Sequence, residues 1–135
     1  MDLIFAKLFL IALPVFFAID MVWLVVVANK FYGKELGHLM SPNVTWWAAI
    51  VFYLIFIVAL LVFVVVPARE AKSISKAIIY GAFFGFACYA TYDLTNLATL
   101  KDWPLIVTVV DLIWGTFVSA AVAGLTYLIA EKFGI

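Results

Sequence analysis

The stretch that decides the fold is VTWWAAIVFYLIFIVALLVFVVV, residues 44–66, which contains no charged side chain. Three further stretches, residues 8–29, 77–100 and 103–130, are almost as apolar and carry one charged residue each. Because a helix needs about 20 mainly apolar residues to cross a bilayer, each stretch is long enough to span a membrane. The sequence therefore predicts an all-α integral membrane protein, a four-helix bundle forming one domain over residues 1–135. The predicted spans are about 5–29, 44–66, 76–99 and 104–130.

The overall composition agrees with a membrane location and excludes several other classes. Of all residues, 69% are hydrophobic and 12% are charged, and the formal net charge is zero. The basic residues are spread over several connections instead of forming one stripe, so no nucleic acid partner is expected. A single cysteine and a single histidine provide no Cys/His cluster, and we therefore predict neither a metal site nor a cofactor.

The basic residues also predict an orientation, because Lys and Arg next to spans favour the cytoplasmic side. Five fall on the side of both termini and three on the other side. The five are Lys7, Arg69, Lys72, Lys76 and Lys132, and the three are Lys30, Lys34 and Lys101. Both termini are therefore expected in the cytoplasm.

Prolines and polar residues predict where the helices begin and end. Ser41 followed by Pro42 is expected to start the second span, and Pro67 is expected to end it. Asp102 is expected to cap the fourth span, whose first turn contains Pro104. The third and fourth spans are joined by so short a connection that they must be antiparallel neighbours.

Every ionisable residue well inside a span is an aspartate: Asp20, Asp93 or Asp111. At a rise of about 1.5 Å per residue, each lies about 10–13 Å from the same, outer boundary of the membrane. A carboxylate in hydrocarbon costs at least ~2.5 kcal/mol, so all three should face the bundle interior. Three like charges in one apolar layer cannot all stay ionised. We therefore expect a coupled cluster that keeps a proton, or one that holds a cation or a cationic ligand.

Other residues at this depth are candidate partners of the acids. Trp23 and Trp114 each follow an aspartate by three residues, which places indole and carboxylate on one helix face. Each indole could donate its N–H to the acid, wall the site, or simply lie near the outer interface. Phe31, Tyr32 and the other three tryptophans, Trp46, Trp47 and Trp103, are expected to form an aromatic belt at that interface. The predicted ligand-binding set is Asp20, Trp23, Tyr89, Tyr92, Asp93, Asn96, Thr108, Asp111 and Trp114.

Small residues recur at helical spacing in the last two spans. Gly115, Ser119 and Ala123 continue a stripe that begins at Asp111, and the third span has a similar stripe of Gly81, Gly85 and Cys88. Such stripes let a neighbouring helix approach closely. They offer an interface for a homodimer through the faces of spans 3 and 4.

Several motifs together resemble a known family. They are DMVWL at 20–24, KFY at 30–32, YATYDLTNLATL at 89–100, WP at 103–104 and DLIWG at 111–115. With them the chain resembles the bacterial four-span membrane proteins called domain of unknown function 2177. The resemblance covers nearly the whole chain and implies a four-helix protein of the bacterial inner membrane, without implying an activity.

Three functions are compatible with the acidic layer. The first is binding or transport of a proton, a cation or a small amphipathic ligand. The second is an enzyme acting on a lipid or isoprenoid with paired aspartates as acid and base. The third is an accessory subunit whose acids pair with a basic residue of a partner. The acids could also be a structural clamp between helices, and binding or transport is the function we favour.

Overall fold

The computed structural model describes residues 2–135, which form four long helices. They are α1 (Leu3–Leu36), α2 (Trp46–Glu70), α3 (Ile74–Thr99) and α4 (Leu105–Lys132). Each is long and apolar enough to cross a membrane. The predicted all-α architecture with four candidate spans is therefore confirmed.

The pair α3 and α4 makes the closest helix packing in the bundle. A Cβ atom added to Gly81 would lie 2.9 Å from the Cβ atom of Ala123, and Gly85 lies directly against Gly115 and Ser119. Without side chains at the glycines, the two backbones can approach closely. Helix α1 packs on α4 and on α2, and the second half of α2 also contacts α3.

The two small-residue stripes are therefore used within the chain. Gly81, Gly85, Gly115, Ser119 and Ala123 are all buried in the seam between α3 and α4. A homodimer through the faces of spans 3 and 4 would therefore need other residues of these helices, and it stays a prediction. The sequence pattern indicated a close helix approach but could not say which helix approaches.

The apolar core occupies the half of the bundle that contains the chain termini. Residues from α1, α2 and α4 form it, among them Leu8, Phe16, Leu60 and Val122. Large apolar side chains on the outer faces are exposed, such as Phe63 at 65% and Phe83 at 71%. Such faces suit contact with lipid hydrocarbon. The remaining half, next to the connections at residues 37–45 and 100–104, contains the aspartates; we call it the aspartate half.

Helix α1 is longer than predicted and contains one wide turn. It continues past residue 29 to Leu36, and residues Leu24–Ala28 form a π-helical turn. Its 34 residues correspond to about 51 Å, so the helix must tilt within the hydrocarbon core of about 30 Å or extend beyond it. The segment expected to begin a loop, including Tyr32, is instead helical.

Three predicted helix boundaries are also corrected. Helix α2 begins at Trp46, whereas Ser41 makes a local turn by accepting a hydrogen bond from the backbone N–H of Asn43 at 3.2 Å. The same helix passes through Pro67 to Glu70, because the π-helical turn Leu61–Val65 gives the proline ring room that a regular turn would deny. Asp102 does not cap α4; it adopts a left-handed turn conformation with φ 58°.

Candidate functional site

The three intramembrane aspartates are all buried and come from three different helices. Asp20 on α1 is 8% exposed, Asp111 on α4 is 7% exposed, and Asp93 on α3 is fully enclosed. Helices α1 and α3 run towards the aspartate half and α4 runs away from it. Antiparallel neighbours thus bring residues that are far apart in sequence to one layer of the bundle.

Tyr89 lies near this layer and lines a cavity together with Asp111. Its hydroxyl is close enough to interact electrostatically with Asp20, Asp93 and Asp111 alike. The ring packs directly on Gly115, where any larger residue would collide with it. Gly115 therefore leaves room for a phenol near the carboxyl groups.

Two of the aspartates accept hydrogen bonds from tyrosines on neighbouring helices. Tyr53 on α2 donates its hydroxyl hydrogen to Oδ2 of Asp20 at 3.0 Å. Tyr32, near the end of α1, donates to Oδ1 of Asp111. Phenols are neutral donors at pH 7, so these bonds orient the carboxyl groups without neutralising them. Neither tyrosine belongs to the ligand-binding set predicted from the sequence.

Asp93 differs from the other two because it has no donor. Neither of its carboxyl oxygens is exposed, and neither has a hydrogen-bond partner among residues 2–135. The carboxyl group of Asp111 lies beside it. Two carboxyl groups can form a hydrogen bond only when one of them holds a proton. Asp93 and Asp111 are thus an acid pair that can share one proton.

No basic side chain accompanies the acids in the described part of the chain. The salt bridge found among residues 2–135 joins Arg69 Nε to Glu131 Oε1 at 3.9 Å, at the opposite end of the bundle. Nor do three acidic, histidine or cysteine side chains within that range surround a common point where a metal ion could sit. The positive charge that would balance this layer therefore does not come from these residues.

The two tryptophans that follow the acids pack on each other. The rings of Trp23 and Trp114 are stacked, with centroids 4.3 Å apart and planes 9° apart. The edge of Trp23 also contacts Tyr32, at a centroid distance of 6.4 Å. The pair joins α1 to α4 beside the aspartate layer. It forms an aromatic wall, while the acids receive their hydrogen bonds from tyrosines.

Thr108 supports the backbone of Asp93 instead of its carboxyl group. Its hydroxyl donates to the backbone oxygen of Asp93 at 3.3 Å and accepts from the indole N–H of Trp103 at 3.0 Å. Trp103 is buried at 8% exposure, so it belongs to the site and not to the predicted aromatic belt. Tyr92 packs edge-on against Trp103 at 5.7 Å and is 58% exposed, and Asn96 is half-buried on the same helix.

The π-helical turn in α1 explains how Tyr32 reaches the site. Tyr32 follows Asp20 by twelve residues, so in a regular helix it would point about 120° away from the aspartate, at about 100° per residue. A π-helical turn holds one extra residue, which reduces the difference to about 20°. The buried stripe of α1 accordingly continues from Asp20 to Ala28, and Tyr32 lies one turn further on. The wide turn keeps both polar groups on one face.

A cavity of about 360 Å³ opens beside the aspartate layer. It is lined by Phe52 from α2, by Cys88, Tyr89 and Tyr92 from α3, and by Asp111 from α4. Phe52 and Tyr92 are 53% and 58% exposed on the outside of the bundle. The cavity therefore connects the lipid-facing surface with a carboxyl group of the acid pair.

The profile of the family described as "Predicted membrane protein (DUF2177)" matches residues 5–128. The chain belongs to the DUF2177 family. The matched segment contains the three aspartates, both tyrosine donors and the stacked tryptophans. No curated protein and no solved structure matches the chain.

This DUF2177 protein is therefore a multi-pass membrane protein with a buried acidic layer. The geometry brings together Asp20, Asp93, Asp111, Tyr89, Trp23 and Trp114 from the predicted set. Thr108 contacts the site through its hydrogen bond to the backbone oxygen of Asp93. Tyr92 lines the adjoining cavity. Chemically, the arrangement can hold a proton between two carboxyl groups or balance a positive charge from outside the chain.

Proposed function

We propose that this membrane protein binds and transports a proton or a cation at the layer formed by Asp20, Asp93 and Asp111. The observation that carries the proposal is Asp93, a fully enclosed carboxyl group with no donor, beside Asp111. An ionised carboxylate buried without a partner is strongly unfavourable. The layer must therefore take up positive charge from outside the chain.

A purely structural clamp explains less of this arrangement. A clamp requires that each buried polar group has a partner, and the tyrosine bonds of Asp20 and Asp111 satisfy that requirement. Asp93 does not meet it within residues 2–135, although apolar residues could fill its place at lower cost. A buried acid without a hydrogen-bond partner, next to a second acid, favours a role in binding and releasing a proton or a cation.

The paired carboxyl groups also support a second candidate, an enzyme acting on a lipid. Asp93 and Asp111 lie close enough for one to act as an acid while the other acts as a base. The two candidates are separated by comparing lipid extracts from cells that produce the wild type with those from cells that produce Asp93→Asn. A chemically altered lipid present only with the wild type would favour the enzyme.

An accessory subunit remains the third candidate, in which a partner's basic residue would enter the acid layer. Affinity purification in mild detergent tests it. A stoichiometric protein that leaves when Asp93 becomes Asn would replace transport with subunit assembly as the function. Purification of this chain alone, with flux retained in liposomes, would support the proposal.

We further propose that the protein resides in the bacterial inner membrane with both termini in the cytoplasm. The basic residues at the terminal end of the bundle support this orientation. A homodimer would have to use a lipid-facing surface, since the glycine seam is occupied. Reporter fusions at the C-terminus and in the connection at residues 37–45 should place the first inside and the second outside.

Reconstitution into liposomes tests the transport proposal directly. We expect the wild type to dissipate an imposed pH gradient, followed with a trapped pH-sensitive dye, at least tenfold faster than Asp93→Asn or Asp111→Asn. The matched control is Asp102→Asn, because Asn tolerates the left-handed turn conformation at this position outside the spans. Equal rates for all four proteins, with and without Na⁺ or K⁺, would contradict the proposal.

A further inference from the structure

We infer that the acid pair accepts an organic monocation with apolar substituents, which enters from the bilayer through the cavity beside Phe52, Tyr92 and Asp111. This inference rests on the proposed function and names the class of cation. It also assigns the route, which is lateral entry between α2 and α3. The cavity with its aromatic walls supports it, and so does the unpartnered acid.

The walls of the cavity provide faces that attract cations. Three of its five lining residues, Phe52, Tyr89 and Tyr92, are aromatic. A cation over an aromatic face gains about 0.5–2 kcal/mol, most when water is excluded. The fourth, Cys88, is half-buried and adds no charge. An apolar cation would therefore contact rings on several sides.

The inner end of the cavity supplies the opposite charge. Asp111 is 7% exposed, and Tyr32 donates to Oδ1, so Oδ2 has no donor among the described residues 2–135. Asp93 lies beside Asp111, and its carboxyl oxygens have no hydrogen-bond partner among residues 2–135 either. If the pair shares one proton, it retains one negative charge. A monovalent cation matches the charge that the pair retains.

The size and chemistry of the cavity favour an organic cation over a bare metal ion. Its volume of about 360 Å³ falls within the usual range for small-molecule sites, about 300–1,000 Å³. Hard metal cations require several oxygen ligands around one point. Within residues 2–135 no such group of acidic side chains exists, and the cavity walls are mainly rings.

The position of the cavity favours entry from the bilayer. Phe52 and Tyr92 expose more than half of their surfaces on the outside of the bundle, where lipid would surround them. A cation with apolar substituents partitions into this region and can reach Asp111 without crossing the loops.

Two probes of the same shape and opposite charge test the inference on the unmodified protein. Binding of tetraphenylphosphonium and of tetraphenylborate to the purified wild type in neutral detergent is measured by equilibrium dialysis. We expect the cation to bind at least tenfold more tightly than the anion. Equal binding of the two would overturn the inference, because it would reflect only apolar partitioning.

Substitutions of the lining residues then test whether tetraphenylphosphonium binds in this cavity. Phe52→Ala and Tyr92→Ala should each weaken tetraphenylphosphonium binding about 3- to 10-fold, and Asp111→Asn by more than tenfold. The control is Phe117→Ala, since Phe117 is equally exposed, at 59%, but lines the grooves beside Trp114. An unchanged affinity in both aromatic variants, or an equal loss in the control, would refute the assignment. Folding of each variant is checked by its elution profile and melting temperature.

Failure of the organic-cation site and failure of the proposed transport function give different results. If pH-gradient dissipation depends on Asp93 and Asp111 but the two probes bind equally, the proposed function stands and the organic-cation site falls. If the phosphonium binds through Asp111 but no flux of protons or inorganic cations occurs, the inferred site stands and the transport of those ions falls.

Discussion

Deletion of Val26 should be tolerated, although a deletion within a membrane-spanning helix usually rotates one part of it against the other. Val26 is 68% exposed and lies in the π-helical turn Leu24–Ala28. That turn holds one residue more than a regular turn. Removing the extra residue should restore a regular helix while both flanking segments keep their faces.

The expected change in the free energy of unfolding follows from the helical geometry. With Val26 deleted, Tyr32 follows Asp20 by eleven residues, and at about 100° per residue the two stay within about 20° of the same face. Because the buried stripe and the hydrogen bond to Asp111 are both kept, we expect the free energy of unfolding to change by less than about 1 kcal/mol.

Deletion of Phe17 is the matched control. Phe17 is exposed to a similar extent, 63%, but lies in a regular part of α1. Its deletion rotates the preceding segment by about 100° and removes Leu8 and Phe16 from the core. We expect a loss of at least ~3 kcal/mol, typical of losing a large core side chain.

Chemical unfolding in detergent micelles, followed by tryptophan fluorescence, measures both deletions. The Tyr32→Phe substitution made in the Val26 deletion should cost as much as it does in the intact chain, because the hydrogen bond persists. If the two deletions destabilise the protein equally, or Tyr32→Phe has no effect in the shortened helix, the proposed role of the π-helical turn is wrong.

Two further predictions concern the packing and the hydrogen bonds of the layer. Gly115→Ala should cost about 1–3 kcal/mol of unfolding free energy, because its methyl group collides with the ring of Tyr89. Gly33→Ala meets no heavy atom within 4 Å and should not destabilise the helix; thermal unfolding in detergent compares the two variants. Tyr32→Phe should lower the free energy of unfolding by about 0.6–1.7 kcal/mol, because it removes the hydrogen bond to Asp111. The exposed Tyr80→Phe serves as its control in the same denaturant titration, and an equal effect of both would argue against that bond.

Much of the fold follows from the sequence because the membrane imposes it. Four apolar stretches of sufficient length allow few architectures other than four spans. The common depth of Asp20, Asp93 and Asp111 also follows, since the rise per residue is fixed and neighbouring spans run in opposite directions. These predictions depend on length and direction alone, which local sequence determines well.

The tyrosine partners could not be predicted for two different physical reasons. Tyr53 lies in α2, which is apolar on all sides, so no periodic pattern shows which face is inside. Tyr32 lies beyond a π-helical turn, and regular helical spacing assigns it to the wrong face. The sequence did contain one usable signal. Ala28 and Tyr32 are four residues apart, and they continue the buried stripe of α1 if one extra residue is inserted after Asp20.

The central claim is that the aspartate layer takes up positive charge at neutral pH, and infrared spectroscopy tests it most directly. The carbonyl stretch of a protonated carboxyl group is distinct from the bands of a carboxylate. We predict a protonated-carboxyl band in the purified wild type at pH 7 that is lost in Asp93→Asn, is kept in Asp102→Asn, and diminishes when a cation binds. A wild-type spectrum in which no carboxyl group is protonated, with no bound cation in the preparation, would contradict the account.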